Sequence, residues 1–164
     1  MSQAFTPSEA TRELVRLSLI SGVGPRIRQS LIERFGDAES VLAAAPSELQ
    51  GVPGVGPKLA GRIALAREQI DVDAEVDLCR EHQVAIVTDR DDDYPRGLRE
   101  IHDPPGVLYV RGGFDPRDAL AIGIVGTRHA TSYGKTQAER LATSLSRAGL
   151  TIISGLARGV DAAA

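Results

Sequence analysis

Residues 123–164 constrain the fold more than any other part of the chain. They contain two glycine-bearing segments, GIVGTR at 123–128 and SGLARGVD at 154–161, which flank one helical pattern. A short apolar run at 121–125 predicts a buried strand that leads into the first segment. A second run at 150–153, rich in β-branched residues, predicts a strand before the second. Two strands joined by one helix form the unit of a parallel sheet.

The segment between the two strands has the apolar spacing of a single helix face, with Ala138, Leu141, Ala142, Leu145 and Ala148. We expect Ser132 to be the N-cap of this helix and Gly149 to end it. A further helix is expected to start near Gly159. Because crossovers between parallel strands are right-handed, both glycine segments then lie at the carboxyl ends of strands, where open α/β sheets bind ligands.

The composition of these two segments favours an anion. Their glycines allow close backbone approach and positive φ: Gly126, Gly134, Gly155 and Gly159. Hydroxyl donors at or near a helix N-terminus come from Thr127 and Ser132, and Ser154 directly follows the second strand. Permanent positive charge comes from Arg128, Lys135 and Arg158. We interpret the two segments as a phosphate site, and the alternative is that the glycines only shape tight turns between strands and helices.

A dinucleotide site is a weaker interpretation of the same residues. The G-x-G-x-x-G pattern needs three closely spaced glycines, whereas Gly123 and Gly126 have no third glycine at the required place. The phosphate-binding loop pattern G-x-x-x-x-G-K-[ST] does not occur in the chain. We therefore expect a Rossmann-like sheet without a bound cofactor.

A second phosphate-binding pattern lies near the N-terminus. Residues 21–26 and 52–58 each read as a hairpin with two glycines, followed by proline at the first helical position. Each hairpin would present backbone N–H groups beside a cation, and the residues concerned are Gly24, Arg26, Gly54, Gly56 and Lys58. This pattern is typical of a tandem helix-hairpin-helix unit, which contacts DNA backbones without reading sequence. The alternative is that the hairpins are compact interhelix turns or protein contacts.

These patterns predict an α/β chain with three parts. Residues 1–70 are expected to form a helix-hairpin-helix (SAM-like) helical domain, 71–83 a helical linker, and 84–164 the N-terminal part of a truncated Rossmann-like parallel sheet domain. The run 84–87 is the first strand. Residues 89–106 are loop-rich, and we interpret the three aspartates at 91–93 as a solvated charge run rather than a metal site.

The chain also carries a family resemblance. Residues 121–164 resemble the signature region of the DNA processing protein A family, known as DprA or Smf. The resemblance extends upstream, in the same order and spacing, through DYP at 93–95, LREI at 98–101, DPP at 103–105 and VLYVRG at 107–112. The chain is therefore identified as a member of this family over residues 93–164.

The resemblance implies a single-stranded DNA-binding recombination mediator that protects incoming DNA and assists a RecA-type recombinase in natural transformation. It implies that the loops 126–134 and 154–161 line a basic pocket for the DNA backbone. From its position in the first glycine segment, Tyr133 is a candidate for base stacking, and the alternative is that it packs into the core. The resemblance implies no enzymatic activity, no metal and no membrane partner. Intact members form homodimers and contact the recombinase through segments beyond the equivalent of Ala164, so neither role falls on residues present here.

Composition is compatible with this interpretation. The net charge is −3, which argues against wholesale coating of nucleic acid but allows a local basic groove. The single cysteine, Cys79, excludes a disulfide within the chain, and we interpret it as a small buried apolar residue. The first seven residues have no basic or long apolar targeting segment, and we expect a cytoplasmic protein.

Two other functions fit parts of the sequence. One is an enzyme or carrier for a small phosphorylated ligand on a related Rossmann-like fold. The other is a helix-hairpin-helix DNA repair enzyme in which Lys58 would be the catalytic lysine and Asp71 or Asp73 its carboxylate partner. The three histidines, His82, His102 and His129, are scattered and indicate no catalytic pairing.

Overall fold

The computed structural model of the chain describes residues 7–164, and the predictions made for residues 1–6 lie outside this range. The chain divides into two compact units, Met1–Gly113 and Phe114–Ala164. We refer to them as the first and second unit and describe each by itself. Across the described range, no helix combines the length and the apolar character that crossing a membrane requires.

The first unit begins with short helices: α1 Glu9–Leu19, α2 Pro25–Phe35, α3 Ala38–Ala43, α4 Pro46–Leu49, α5 Pro57–Ala64 and α6 Ala66–Gln69. Local chemistry explains their starts. The side chains of Ser8 and Asp37 cap α1 and α3, and proline occupies the first turn of α2 and α5. The core between the helices consists of fully buried side chains that include Leu17, Leu31, Val41, Leu49 and Ile63. The predicted helical domain is confirmed.

The two hairpins of this domain pack against each other's helices. A Cβ on Gly22 would lie 3.3 Å from Leu59 of α5, and a Cβ on Gly54 would lie 2.6 Å from Ile27 of α2. Both glycines have positive φ, +102° and +86°, so a side chain is disfavoured at either position by conformation as well as by space. The equivalent contacts show that the two helix-hairpin-helix motifs form one paired unit.

The segment expected as a linker is a helix, α7 Val72–Glu81, capped by the side chain of Asp71. It does not stand free. Val72, Val76 and Cys79 are buried in a second apolar cluster with Val15 of α1 and with Ile86 of the following strand. The interpretation of Cys79 as a buried apolar residue is confirmed, and burial raises the pKa of its thiol.

The following strand, β1 Val84–Thr88, starts where the sequence predicts but pairs differently. It pairs antiparallel with β2 Val107–Arg111, so that Val84 faces Arg111 and Thr88 faces Val107. We expected a parallel sheet to begin at residue 84, and for this strand that expectation is wrong. The connection from β1 to β2 contains only the short helix α8 Arg96–Arg99, whereas the crossover of a parallel pair is usually built on a full α-helix. The compact units accordingly divide between residues 113 and 114.

One ion pair joins the helical domain to this ribbon. Arg28 of α2 is 8% exposed and donates from its guanidinium to the Asp89 carboxylate, just past β1, over 2.7 Å. Gly106 leaves room for the arginine, since a Cβ there would lie 2.3 Å from the guanidinium. A buried charge is tolerated only when it is paired, so this contact fixes how the ribbon meets α2.

Replacing Asp89 by alanine should therefore destabilise the first unit. The substitution leaves the Arg28 charge buried without a partner, which we expect to cost about 2–3 kcal/mol of unfolding free energy. Urea denaturation measures this cost. The control is Asp77→Ala, which removes an exposed ion pair with Arg80 and should cost less than ~1 kcal/mol. Equal effects of the two substitutions would contradict a structural role for the buried pair.

The second unit contains the predicted strand, helix, strand series. A 3-10 turn, Pro116–Ala119, precedes β3 Ala121–Gly123; α9 Ser132–Arg147, β4 Thr151–Ile153 and a final 3-10 turn, Asp161–Ala163, follow. Strands β3 and β4 are parallel, with Ile122 opposite Ile152, which confirms the expected βαβ unit. The expectation that the first of these strands is buried was wrong, because all three residues of β3 are exposed. On α9, Ala138 and Ala142 are buried, whereas Leu141 of the expected apolar face is 53% exposed.

The ends of α9 show one confirmed expectation and one correction. Gly149 follows the helix with a φ of +94°, as a terminating glycine should. The N-cap, however, is Thr131 and not Ser132, because the Thr131 hydroxyl accepts the Gly134 N–H while Ser132 is already helical. The helix expected near Gly159 is only the 3-10 turn that begins at Asp161.

Candidate nucleic-acid interface

The first glycine segment leaves β3 and runs along the surface to α9. Ile124 is buried and its N–H donates to the Ile153 carbonyl of β4, 2.9 Å away. Residues 125–129 are then exposed. The Thr127 hydroxyl accepts the His129 N–H over 3.2 Å, which stabilises the turn from within. We call residues 124–131 the first loop.

The second glycine segment follows β4 and packs directly on the first loop. We call residues 154–161 the second loop. The Asp161 carboxylate accepts the Gly126 N–H over 2.9 Å, and the Ser154 hydroxyl donates to the Ile124 carbonyl over 2.8 Å. In addition, the Val160 N–H donates to the Thr127 carbonyl over 3.2 Å. The two loops predicted to be neighbours thus form one hydrogen-bonded surface.

Three of the four singled-out glycines are explained by this close packing. A Cβ on Gly159 would lie 2.1 Å from the Thr127 carbonyl oxygen, one on Gly126 2.7 Å from Val160, and one on Gly155 2.8 Å from the Asp161 carboxylate. Only Gly159 of the four has positive φ, +96°. Gly134 lies inside the first turn of α9 rather than in a loop. Gly126 and Gly159 therefore allow contact between the loops, and Gly155 allows contact within the second loop. The case for an anion depends on the polar and charged groups.

The cations predicted at this site all lie on the surface. Arg128 of the first loop, Lys135 of the first turn of α9 and Arg158 of the second loop are exposed. Within residues 7–164 none of the three forms a salt bridge. The Asp161 carboxylate, in contrast, is buried at 8% exposure and faces a backbone N–H. The loops therefore present positive charge outward and keep their carboxylate inside.

Tyr133 lies beside these cations at the start of α9, next to the predicted hydroxyl donor Ser132. Its side chain is 74% exposed, so it does not pack into the core, which was the alternative to a stacking role. An exposed tyrosine at a cationic surface offers a face on which a base can stack.

The predicted secondary site is formed by the two hairpins of the first unit. Gly24 and Gly56 are the N-caps of α2 and α5, and neither helix receives a side-chain capping bond. The side chains of residues 7–164 thus provide no cap for the first N–H groups of either helix. Arg26 and Lys58 occupy the second position of each helix and are exposed. The positive helix end and the cation coincide at both hairpins.

Sequence reasoning missed one feature of the hairpins. Each carries an arginine from the opposite motif: Arg62 of α5 donates to the Ser21 carbonyl over 3.0 Å, and Arg34 of α2 donates to the Gly51 carbonyl over 3.2 Å. The two arginines do not occupy equivalent positions along their helices, so the spacing within each motif does not predict these contacts. The repetition of the hairpin is the one sequence signal that could have suggested them.

The repair-enzyme arrangement is not formed. Asp71 caps α7 by accepting the Ala74 N–H over 3.1 Å. Asp73 forms an ion pair with Arg12 of α1. Both carboxylates proposed as partners of Lys58 are thus engaged elsewhere, and each has a structural role at an end of the helical domain. The predicted pairing of Lys58 with Asp71 or Asp73 was therefore wrong.

The fold and the two sites define a class of protein: an α/β chain with a tandem helix-hairpin-helix unit and a parallel βαβ unit whose two loops form a cationic surface. Comparison with known proteins gives the family. Residues 85–164 match the model of DNA recombination-mediator protein A, and residues 14–68 match that of the SAM-like helix-hairpin-helix tandem. The chain belongs to the DNA processing protein A (DprA/Smf) family.

Relatives with known names agree with this assignment. Protein Smf of Synechocystis is 36% identical over 149 residues, which span 88% of this chain and 37% of the relative. DNA processing protein DprA of Bacillus subtilis is 40% identical over 83 residues, 50% of this chain and 28% of the relative. The X-ray structure of DprA from Streptococcus pneumoniae matches with a TM-score of 0.62 and 26% identity, over 97% of this chain and 53% of that one. The chain thus spans about a third of these curated relatives.

The packing of the two loops makes a direct prediction for Gly159→Ala. The new Cβ would meet the Thr127 carbonyl in a backbone conformation that alanine disfavours, so we expect the loops to separate at a cost of about 2 kcal/mol or more. Faster amide hydrogen exchange at Gly126 and Val160 would report this separation. Gly123→Ala is the control, because no atom lies within 4 Å of its Cβ position. Unchanged exchange in Gly159→Ala would show that the loops do not depend on their close approach.

Proposed function

We propose that this chain binds single-stranded DNA and acts in DNA processing as a recombination mediator. The observation that carries the proposal is the surface formed by the two hydrogen-bonded loops and the first turn of α9, which presents Arg128, Lys135 and Arg158 to solvent. Among residues 7–164 these cations have no acidic partner. The names of the DprA relatives support a role in DNA processing. The chemistry of the surface favours a polyanion over a compact ligand, because its cations lie on three separate segments.

In this proposal the backbone of the strand runs across the two loops. Each arginine guanidinium can donate two parallel hydrogen bonds to one phosphate group, and Lys135 adds a point charge. The Thr127 and Ser132 hydroxyls lie beside these cations and can donate to phosphate oxygens. The backbone N–H groups at the start of α9 add the positive end of a long helix. Contacts of this kind give affinity that depends on salt and not on sequence.

The helix-hairpin-helix unit supplies a second phosphate-binding surface in this proposal. Gly24, Gly54 and Gly56 shape hairpins whose helix ends face outward beside Arg26 and Lys58. This surface would hold the DNA backbone without reading bases. A chain with two such surfaces gains affinity because binding at one raises the local concentration of DNA at the other.

The wider role belongs to the proposal as well. We infer that the chain acts by binding rather than by catalysis, and that a RecA-type recombinase receives the bound strand in the cytoplasm during natural transformation. The match of residues 85–164 to the model of DNA recombination-mediator protein A supports a role in recombination. Self-association belongs to the whole family protein, and we assign it no surface on this chain.

Arg128→Ala tests the loop surface. Loss of one phosphate contact should weaken binding of an oligothymidylate and reduce the slope of log K against log salt by about 0.7. Fluorescence anisotropy across a salt series measures both quantities. Arg147→Ala is the matched control, because Arg147 is an exposed cation in the last turn of α9, the helix whose first turn contains Lys135. If both variants keep the wild-type slope, Arg128 is not at the site. Hydrolysis of nucleoside monophosphates by the purified chain would instead favour a small-ligand enzyme.

The hairpin surface is tested by the double substitution Arg26→Ala, Lys58→Ala. Two lost phosphate contacts should reduce the same slope by about 1.4 while thermal stability stays unchanged, because both side chains are exposed. Arg80→Ala, Arg111→Ala serves as the control with the same change of charge in the same unit. A slope that falls equally in both double variants would point to general electrostatics rather than to the hairpins.

A further inference from the structure

The candidate loop surface also carries an unusual amount of exposed apolar side chain. The three most exposed large hydrophobic residues among residues 7–164 are Leu156 at 88%, Val125 at 74% and Tyr133 at 74%. Val125 and Leu156 belong to the first and second loops, and Tyr133 begins the helix that the first loop enters. Exposed apolar side chains gathered in one region of a soluble surface indicate a binding site.

Leu156 is further marked by its backbone. Its φ is +52°, in the left-handed region that leucine disfavours and that glycine or asparagine adopts readily. The loop is anchored on both sides of it, by the Ser154 hydroxyl on the Ile124 carbonyl and by the Ala162 N–H on the Ala157 carbonyl over 3.0 Å. The chain thus holds a leucine where packing gives it no benefit and the backbone would favour another residue. Backbone strain of this kind is found mostly at functional sites.

We propose that Leu156, together with Val125 and Tyr133, contacts unpaired bases of the strand whose phosphates the cations bind. This inference rests on the proposed function and adds to it a reason why the chain would prefer single-stranded DNA to a duplex. In a duplex the faces of the bases are stacked inside, whereas in a single strand they are free to meet an apolar side chain. An apolar contact of this kind selects for single strands and is indifferent to sequence, since every base has an apolar face.

The charges around Leu156 favour nucleic acid over an apolar protein partner. Arg158 follows it by two residues in the same loop, and Arg128 lies in the first loop, whose Thr127 carbonyl accepts the Val160 N–H. Cations beside apolar side chains suit a ligand that presents phosphates and bases at regular intervals along one strand. The two sets of residues therefore contact different parts of the strand: the cations bind phosphates, and the apolar side chains bind bases.

The test is Leu156→Asn, which suits the left-handed backbone but removes the apolar side chain. We expect an unchanged or higher melting temperature together with oligothymidylate binding weakened roughly five- to tenfold. The salt slope should stay at the wild-type value, because no phosphate contact is lost. Wild type should bind an abasic oligomer of the same length at least as weakly as the variant binds oligothymidylate, because without bases Val125 and Tyr133 lose their contacts too, and the substitution should leave abasic binding unchanged.

Leu120→Asn is the matched control, an exposed leucine of the same unit at 63% that lies outside both loops. It should bind oligothymidylate as the wild type does. Wild-type affinity in Leu156→Asn would overturn the base contact while leaving the salt-dependent phosphate site intact, and so would an equal loss of abasic binding. Absence of salt-dependent binding in the wild-type chain would instead overturn the proposed function and this inference together.

Discussion

The hydrogen bond from the Gly126 N–H to the Asp161 carboxylate is the contact on which the candidate surface depends. The parallel pairing of β3 and β4 brings both loops to the same edge of the second unit, and this bond joins them there over 2.9 Å. A buried carboxylate is costly unless it is hydrogen-bonded, so Asp161 favours the joined arrangement. The same bond keeps a negative charge away from solvent, which leaves the three outward cations uncompensated.

Local patterns predicted much of this architecture because their causes are local. Proline after Gly24 and Gly56 starts two helices, Gly149 ends α9, and short apolar runs give β3 and β4. The predicted parallel pairing of β1 was wrong, because the partner of a strand depends on the elements that pack against it. Ile86 is buried against Val76 and Val15, and these contacts place the ribbon with the helices. The match to the family model begins at residue 85, whereas the boundary between the two compact units follows residue 113. The first boundary reflects sequence similarity and the second reflects packing.

At the candidate site the sequence identified the residue types but not their contacts. It predicted two adjoining loops with three cations, and the structure brings those loops together. It could not tell that Thr131 rather than Ser132 caps α9, because both side chains carry the same hydroxyl and only the backbone decides. Nor could the sequence show why glycine is required at positions 126 and 155. Val160 of the second loop leaves no room for a Cβ on Gly126, and Asp161 leaves none for a Cβ on Gly155 within the same loop. Long-range contacts of this kind leave no spacing signal.

Two physical terms can be separated on this surface because they respond differently to solution conditions. Phosphate contacts release counterions and weaken as salt rises, whereas burial of apolar side chains against bases does not. A chain with a net charge of −3 has no general attraction for DNA, so its affinity must come from the local cations, and cations alone bind any phosphate backbone. Preference for an unpaired strand needs a further group that only free bases satisfy. The exposed leucine in a left-handed backbone is the residue of the second loop whose properties fit that requirement and no structural one.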